Sequence, residues 1–160
     1  MEVTVTPASL AEKPILANLL QLYHYDFTEF IPELKLGEDG LYPYRYLDAY
    51  WDPEPGEQRY PLLVRCDGEL AGFALVRFVN ETYVMAEFFV MRAHRRSGVG
   101  ARAAMAVFRR FPGKWIVHQV PANLPAQAFW RRVVGEATGG AFEDVTDGDG
   151  VTQRFDLTPG

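Results

Sequence analysis

The apolar positions of this chain change period several times, and each change marks an element. "VTVTP" (Val3 to Pro7) alternates polar and apolar residues like a short strand. From Ser9 to Phe30, Leu10, Ile15, Leu19, Leu22 and Phe27 recur at roughly helical spacing. Pro14 fits that helix only in its first turn. The period then dissolves. Residues 31 to 58 are rich in proline, glycine and acids, and "YPYRYLDAYW" (Tyr42 to Trp51) predicts one short helix within a long loop. "YPLLVRC" (Tyr60 to Cys66) and "ELAGFALVRFV" (Glu69 to Val79) read as strands flanking the hairpin dipeptide Asp67-Gly68. Asn80-Glu81 turns again into "TYVMAEFFVM" (Thr82 to Met91), completing an antiparallel meander.

From Gly98 the spacing shifts to four. Val99, Ala103, Val107 and Phe111 form one helix stripe, which Pro112-Gly113 ends. "KWIVHQV" (Lys114 to Val120) reads as a strand. A further helix runs from Asn123, a suitable N-cap, to about Val134, with Pro125 in its first turn. The tail, Ala141 to Leu157, predicts a hairpin around "DGDG". The order β-α-(α)-β-β-β-α-β-α-β-β predicts an α+β, or mixed α/β, fold. Its central sheet is largely antiparallel, with about seven strands and about four helices, in a single domain over residues 1–160.

Composition narrows the partners. The 160 residues are 48% hydrophobic, enough for one core, and the net charge is −5. That balance argues against a dedicated nucleic-acid binder. Cys66 is the only cysteine, so no internal disulfide forms, and no Cys/His spacing suggests a metal site. No signal segment and no membrane-length apolar run is visible, so the expectation is a soluble, cytoplasmic protein without membrane contact.

The charge is also segregated. Between Phe88 and Gly135 there is no Asp or Glu, yet nine of the 16 basic residues fall there. Arg109, Arg110, Arg131 and Arg132 read as solvated helix faces. Arg92, Arg95 and Arg96 crowd instead before Gly98 and Gly100, at the start of the helix. A helix start exposes unpaired N–H groups and partial positive charge, and glycines there allow a ligand to approach closely. Together these features predict a pyrophosphate site. "GVGARA" (Gly98 to Ala103) also fits a dinucleotide fingerprint, but three strands and a charged loop precede it. The next acid is Glu136, too far on to hold a ribose. No G-K-[ST] follows, which excludes a Walker loop.

"VMRAHRRSGVGARAA" resembles the signature of GNAT-type N-acetyltransferases: a strand valine (Val90), then Arg95, Gly98 and Gly100 at a helix start. "NLPAQAFW" resembles the family's second element through Asn123, Ala126, Phe129 and Trp130. The order of elements also agrees, so the resemblance covers nearly the whole chain. It implies a GNAT-like acyl-CoA N-acyltransferase fold. Acetyl-CoA would lie in a V-shaped gap between Phe88–Met91 and Trp115–His118. The resemblance further implies backbone pairing of the pantetheine arm with Phe89 and Val90. The pyrophosphate would rest on the amides of Arg96, Ser97, Gly98, Val99, Gly100 and Ala101, beside Arg95, and Asn123 and Phe129 would line the pantetheine path.

Acetyl transfer to an amine requires removal of a proton, a donor to the thioester oxygen and protonation of the leaving thiolate. Glu87, a lone carboxylate in an apolar run, is the candidate base. Some family members place a glutamate base on this strand, and burial would raise its pKa. The competing reading is an outward-facing or salt-bridged strand residue. Trp130 stands where the family often has a tyrosine, and an indole cannot protonate a thiolate. His118 is an alternative base, His94 belongs to the charged loop, and His24 reads as structural. Six of the eight tyrosines fall between Tyr23 and Tyr50, near Asp26, Glu29, Glu33, Glu38 and Asp39. This region would form one wall of the acceptor site and receive a cationic amine; for most of these tyrosines, packing onto the sheet is the simpler reading.

The expectation is therefore direct acetyl transfer from acetyl-CoA to a primary amine on a small, cationic acceptor or a peptide. The alternative is a non-catalytic acyl-CoA-binding regulatory module on the same fold. Homodimers are common in the family; nothing in the sequence reads out the assembly.

Overall fold

The computed structural model describes residues 1–160. One seven-stranded sheet runs through it in the order β1-β2-β3-β4-β5-β7-β6. The strands are β1 (Val3–Pro7), β2 (Gln58–Cys66), β3 (Glu69–Val79), β4 (Thr82–Val90), β5 (Lys114–Gln119), β6 (Glu143–Asp147) and β7 (Gly150–Asp156). All neighbours are antiparallel except β4 and β5. Three α-helices cover it: α1 (Lys13–Phe27), α2 (Val99–Arg110) and α3 (Leu124–Thr138).

The expected fourth helix is only a single 3-10 turn, Asp48–Tyr50. Pro43 and Pro53 leave too few residues between them to repay helix nucleation. The first helix also stops at Phe27 rather than Phe30. A 3-10 turn, Leu10–Glu12, leads into it, closed by a capping box in which Glu12 Oε1 accepts from the Ser9 amide at 3.0 Å.

The helices divide the core between the two faces of the sheet. On one face α2 and α3 bury Val107, Phe108, Trp130 and Val133 against Ala74, Val76, Met85 and Trp115. On the other, α1 packs Leu16, Leu19 and Leu20 onto Leu63, Phe73, Leu75 and Phe89. The neighbouring pairs Leu62/Leu63 and Ala74/Leu75 split between the clusters, as strand alternation requires.

Both expected tight turns form. Asp67 and Gly68 have φ of 49° and 85°, and Asn80 and Glu81 have φ of 51° and 60°. Glu81 is thus a side-chain-bearing residue in the left-handed region, at a cost of about 1 kcal/mol. Glu81→Gly is expected to raise the unfolding temperature slightly, by about 0.5 kcal/mol of stability net of the glycine's greater chain entropy, as measured by thermal denaturation.

Two register breaks shape the meander. One falls between Val64 and Arg65 on β2 and leaves Ala71 as the extra residue of β3. The other falls between Leu75 and Val76 on β3 and leaves Ala86 as the extra residue of β4. Bulges of this kind bend a strand and re-aim its side chains.

Candidate active site

Strands β4 and β5 are joined by only two registered pairs, Tyr83↔Trp115 and Val84↔Ile116. Beyond them β4 continues along β3 to Val90, while β5 continues along β7 to Gln119. The sheet therefore parts between Glu87–Val90 and Val117–Gln119. The gap expected from the sequence opens here; Trp115 and Ile116 lie at its joined end.

The helix mouth sits at the open end. Gly98 is the N-cap of α2, with φ 88° and no side-chain cap, and the first bond of the helix is Arg102 N–H to Gly98 O at 3.1 Å. The preceding first-turn amides thus have no capping acceptor, and Ser97 Oγ donates backward to His94 O at 2.8 Å. No acid lies in this turn. Such a mouth suits an anion. Gly100 plays a different part. A Cβ there would stand 3.3 Å from the Phe129 ring and 3.7 Å from Val90, so its bareness lets α2, α3 and β4 meet. The structure thus brings together Val90, Gly100 and Phe129. Asn123 is buried at the start of α3, where its Oδ1 accepts from Ala126 N–H at 3.1 Å. Phe129 stacks on Phe88 with centroids 5.9 Å apart.

The arginines before the mouth are less free than their sequence suggests. Arg95 bonds Asp26, donates from Nε to Val90 O at 2.8 Å, and lies over the Phe89 ring. Arg92 reaches the same Asp26 at 2.6 Å. Burial would raise the Asp26 carboxyl, but bonds from Arg95 and Arg92 hold it below the usual carboxylate range. Asp26, one of the acids expected to greet an amine, thus ties the end of α1 to the loop before α2. Arg96 is exposed, with φ 61°.

Glu87 faces α1. It pairs with Leu75, whose side chain belongs to the α1 cluster, and Tyr23, Tyr44 and Tyr50 gather around it. Burial pushes its carboxyl up to about 7, against the pull of the Tyr23 hydroxyl. The three tyrosines keep their protons: burial first, and the Glu87 charge second or later, raise Tyr23 and Tyr44 and push Tyr50 up to about 12. Glu87 is therefore neither outward-facing nor salt-bridged. It is a partly buried carboxylate poised near neutrality.

Other candidates fall away. His118 Nε2 donates to Asp149 O at 3.0 Å and its Nδ1 meets the Thr152 hydroxyl at 2.9 Å, so both ring nitrogens are engaged. Trp130 is buried among Phe88, Phe108 and Phe129 and belongs to the core. His24 stacks on Tyr44 at 5.6 Å. Sequence reading missed Arg59 and Arg77, which stand directly opposite each other on β2 and β3. The one signal was Arg77, a lone arginine inside the apolar run of β3; Arg59 sits at the polar start of β2, which also carries Gln58 and Arg65.

A mostly antiparallel sheet parted between β4 and β5, over an uncapped glycine helix mouth, defines the acyl-CoA N-acyltransferase fold. The chain belongs to the GNAT acetyltransferase family: the model of the "Acetyltransferase (GNAT) family" matches residues 19–135, well over half its length. No curated protein matches it in sequence. Among solved structures it is similar to an acetyltransferase from Thermus thermophilus, at 16% identity and TM-score 0.66, covering 96% of this chain and 95% of that one. It is also similar to the PaiA N-acetyltransferase of Thermoplasma acidophilum in complex with coenzyme A, at 9% identity and TM-score 0.63, covering 98% and 99%. The ribosomal-protein-S18-alanine N-acetyltransferase of Escherichia coli aligns at 12% identity and TM-score 0.59, covering 99% and 96%. No helix is long and apolar enough to cross a membrane.

Proposed function

We propose that the protein transfers an acetyl group from acetyl-CoA directly to a primary amine, with Glu87 as the base. The observation that carries this reading is the single partly buried carboxylate, raised to about 7, on the strand that borders the gap. Family membership supplies the donor class, and the coenzyme A seen in the Thermoplasma relative supports it.

In this reading the first-turn amides of α2, from Arg96 to Ala101, hold the pyrophosphate by their N–H groups and the helix dipole. The edge of β4 at Phe89 and Val90, where no strand pairs but Arg95 Nε holds Val90 O, pairs with the pantetheine arm as an added strand would. Asn123 and Phe129 border that arm. Glu87 then accepts one proton from the acceptor ammonium, directly or through water. The neutral amine attacks the thioester carbonyl; the N–C bond forms, the C–S bond breaks, and the thiolate takes up a second proton. Trp130 cannot supply that proton, so another protonated group, solvent or the amine itself supplies it. Cys66 is buried beside a turn, which leaves no role for a covalent enzyme intermediate.

Calorimetric titration with coenzyme A tests the donor assignment. Micromolar binding that weakens with added salt is the expected result, and absence of binding at millimolar coenzyme A would overturn it. Tight binding with no thiol release across a broad range of amines would favour the non-catalytic module.

A further inference from the structure

We propose that the acceptor carries a carboxylate in addition to its reacting amine, and that Arg77 and Arg59 hold it. The proposal rests on the acyltransferase reading for the amine, but the carboxylate site stands on its own observations.

Three buried side-chain polar atoms in the whole protein lack a hydrogen-bond partner: His24 Nδ1, Tyr50 Oη and Arg77 Nε. All three lie on the α1 face, around Glu87 and its tyrosines. A buried unpaired donor costs about 1–3 kcal/mol, more if charged. Tyr50 has Tyr44 and Arg59 beside its hydroxyl, so the charged Arg77 Nε is the donor that points to a ligand.

The charge there is positive in an acidic protein. Arg59 and Arg77 are cross-strand partners. The Arg59 side chain is only 8% exposed, with its guanidinium 5.3 Å from the Tyr50 ring centre. Glu57 binds Arg59 through two bonds of 3.1 and 3.2 Å, and both arginines hold its carboxyl below the usual range, Arg59 foremost. Two guanidiniums against one carboxylate leave one net positive charge, which matches a single carboxylate better than a doubly charged phosphate. A planar guanidinium also matches a carboxylate in shape.

The spacing suits one small molecule. Arg77 lies one strand over and two residues along from Glu87, about 8 Å between Cα atoms at standard sheet spacings. Tyr50 feels both Arg59, the cross-strand partner of Arg77, and Glu87: the first favours and the second opposes its ionisation. An amine beside Glu87 and a carboxylate beside Arg77 can therefore belong to one zwitterion.

The test compares matched acceptors on the full-length protein with acetyl-CoA: β-alanine against ethylamine, γ-aminobutyrate against propylamine, L-lysine against cadaverine, with phosphoethanolamine as the phosphate arm. At least one carboxylated acceptor should exceed its partner by about 100-fold in kcat/KM, the worth of one charge-assisted bidentate contact. Arg77→Gln should raise KM for that acceptor by at least 10-fold while sparing kcat and coenzyme A affinity; Arg77→Lys, which keeps the charge, should lie between. Equal use of both partners, preference for the phosphate, or an equal loss on both partners in Arg77→Gln would overturn the proposal. If no acceptor is acetylated, calorimetry of N-acetyl-γ-aminobutyrate with the coenzyme A-loaded protein decides it separately. Binding that Arg77→Gln weakens supports the carboxylate site, and absence of binding sinks it, whatever becomes of the acyltransferase reading.

Discussion

Glu87→Gln is expected to lower kcat by about 100- to 10,000-fold, the range supplied by a positioned proton acceptor, and to leave coenzyme A affinity unchanged. Glutamine keeps the shape and loses only the basic oxygen. The wild-type rate should rise with pH as Glu87 ionises, with an inflection near its raised value of about 7. The variant should lack that inflection. The same shift has a consequence for stability. The unfolded chain holds this carboxyl at about 4.3. Between there and about 7 the folded protein binds the extra proton, so its stability falls as pH rises through that window. The loss amounts to about 4 kcal/mol at full ionisation. Glu87→Gln removes this penalty and should melt about 7–15 °C above the wild type at pH 8, with the advantage vanishing toward pH 4. Near-normal turnover would remove Glu87 from the mechanism; no gain in melting temperature at pH 8 would show that the carboxylate is not buried at a cost.

The second large effect is structural. Gly72→Val should cost more than about 4 kcal/mol and leave little folded protein. A Cβ at Gly72 would stand 1.9 Å from the Phe89 carbonyl oxygen, inside any allowed contact. The partner is backbone, so no side chain can swing aside. The closeness arises because Gly72 follows the bulged Ala71 and pairs with both Val64 and Val90. Gly72 therefore governs how near β3 comes to the part of β4 that borders the gap. Gly135→Ala is the control. Its Cβ would meet only the Phe142 ring at an ordinary 3.7 Å within α3, and alanine there should add about 0.5–1 kcal/mol. Urea denaturation of the three proteins reads both effects. A folded, wild-type-like Gly72→Val would show that β3 and β4 can separate at little cost.

Much of the fold was legible because its signals are local. Alternation marked the strands, spacing by four marked α2, and Asp67-Gly68 and Asn80-Glu81 marked turns whose left-handed angles the structure shows. Asn123 caps α3 as its side chain allows. The fourth helix was misread because a segment closed by Pro43 and Pro53 is too short to extend beyond the 3-10 turn Asp48–Tyr50.

The face that carries Glu87 and Arg77 was not legible, and the two bulges explain why. Counting pairs outward from the Asp67-Gly68 turn sets Arg59 opposite Val76, but the extra Ala71 slips the register by one and brings it to Arg77. Counting from Asn80-Glu81 sets Glu87 opposite Ala74, on the α2 and α3 face, but the extra Ala86 moves it opposite Leu75, toward α1. A one-residue slip in a strand turns every later side chain to the other face. No local pattern announced either bulge.

By itself, then, the sequence determined the order of the strands and of the three long helices and the glycine-led helix start at Gly98, because both depend on residues adjacent in the chain. Only the tertiary structure decided which face Glu87 occupies, that Asp26 is spent on Arg92 and Arg95, and that two arginines meet beside the tyrosines. Those relations join residues dozens of positions apart, and sheet register, not spacing along the chain, sets them.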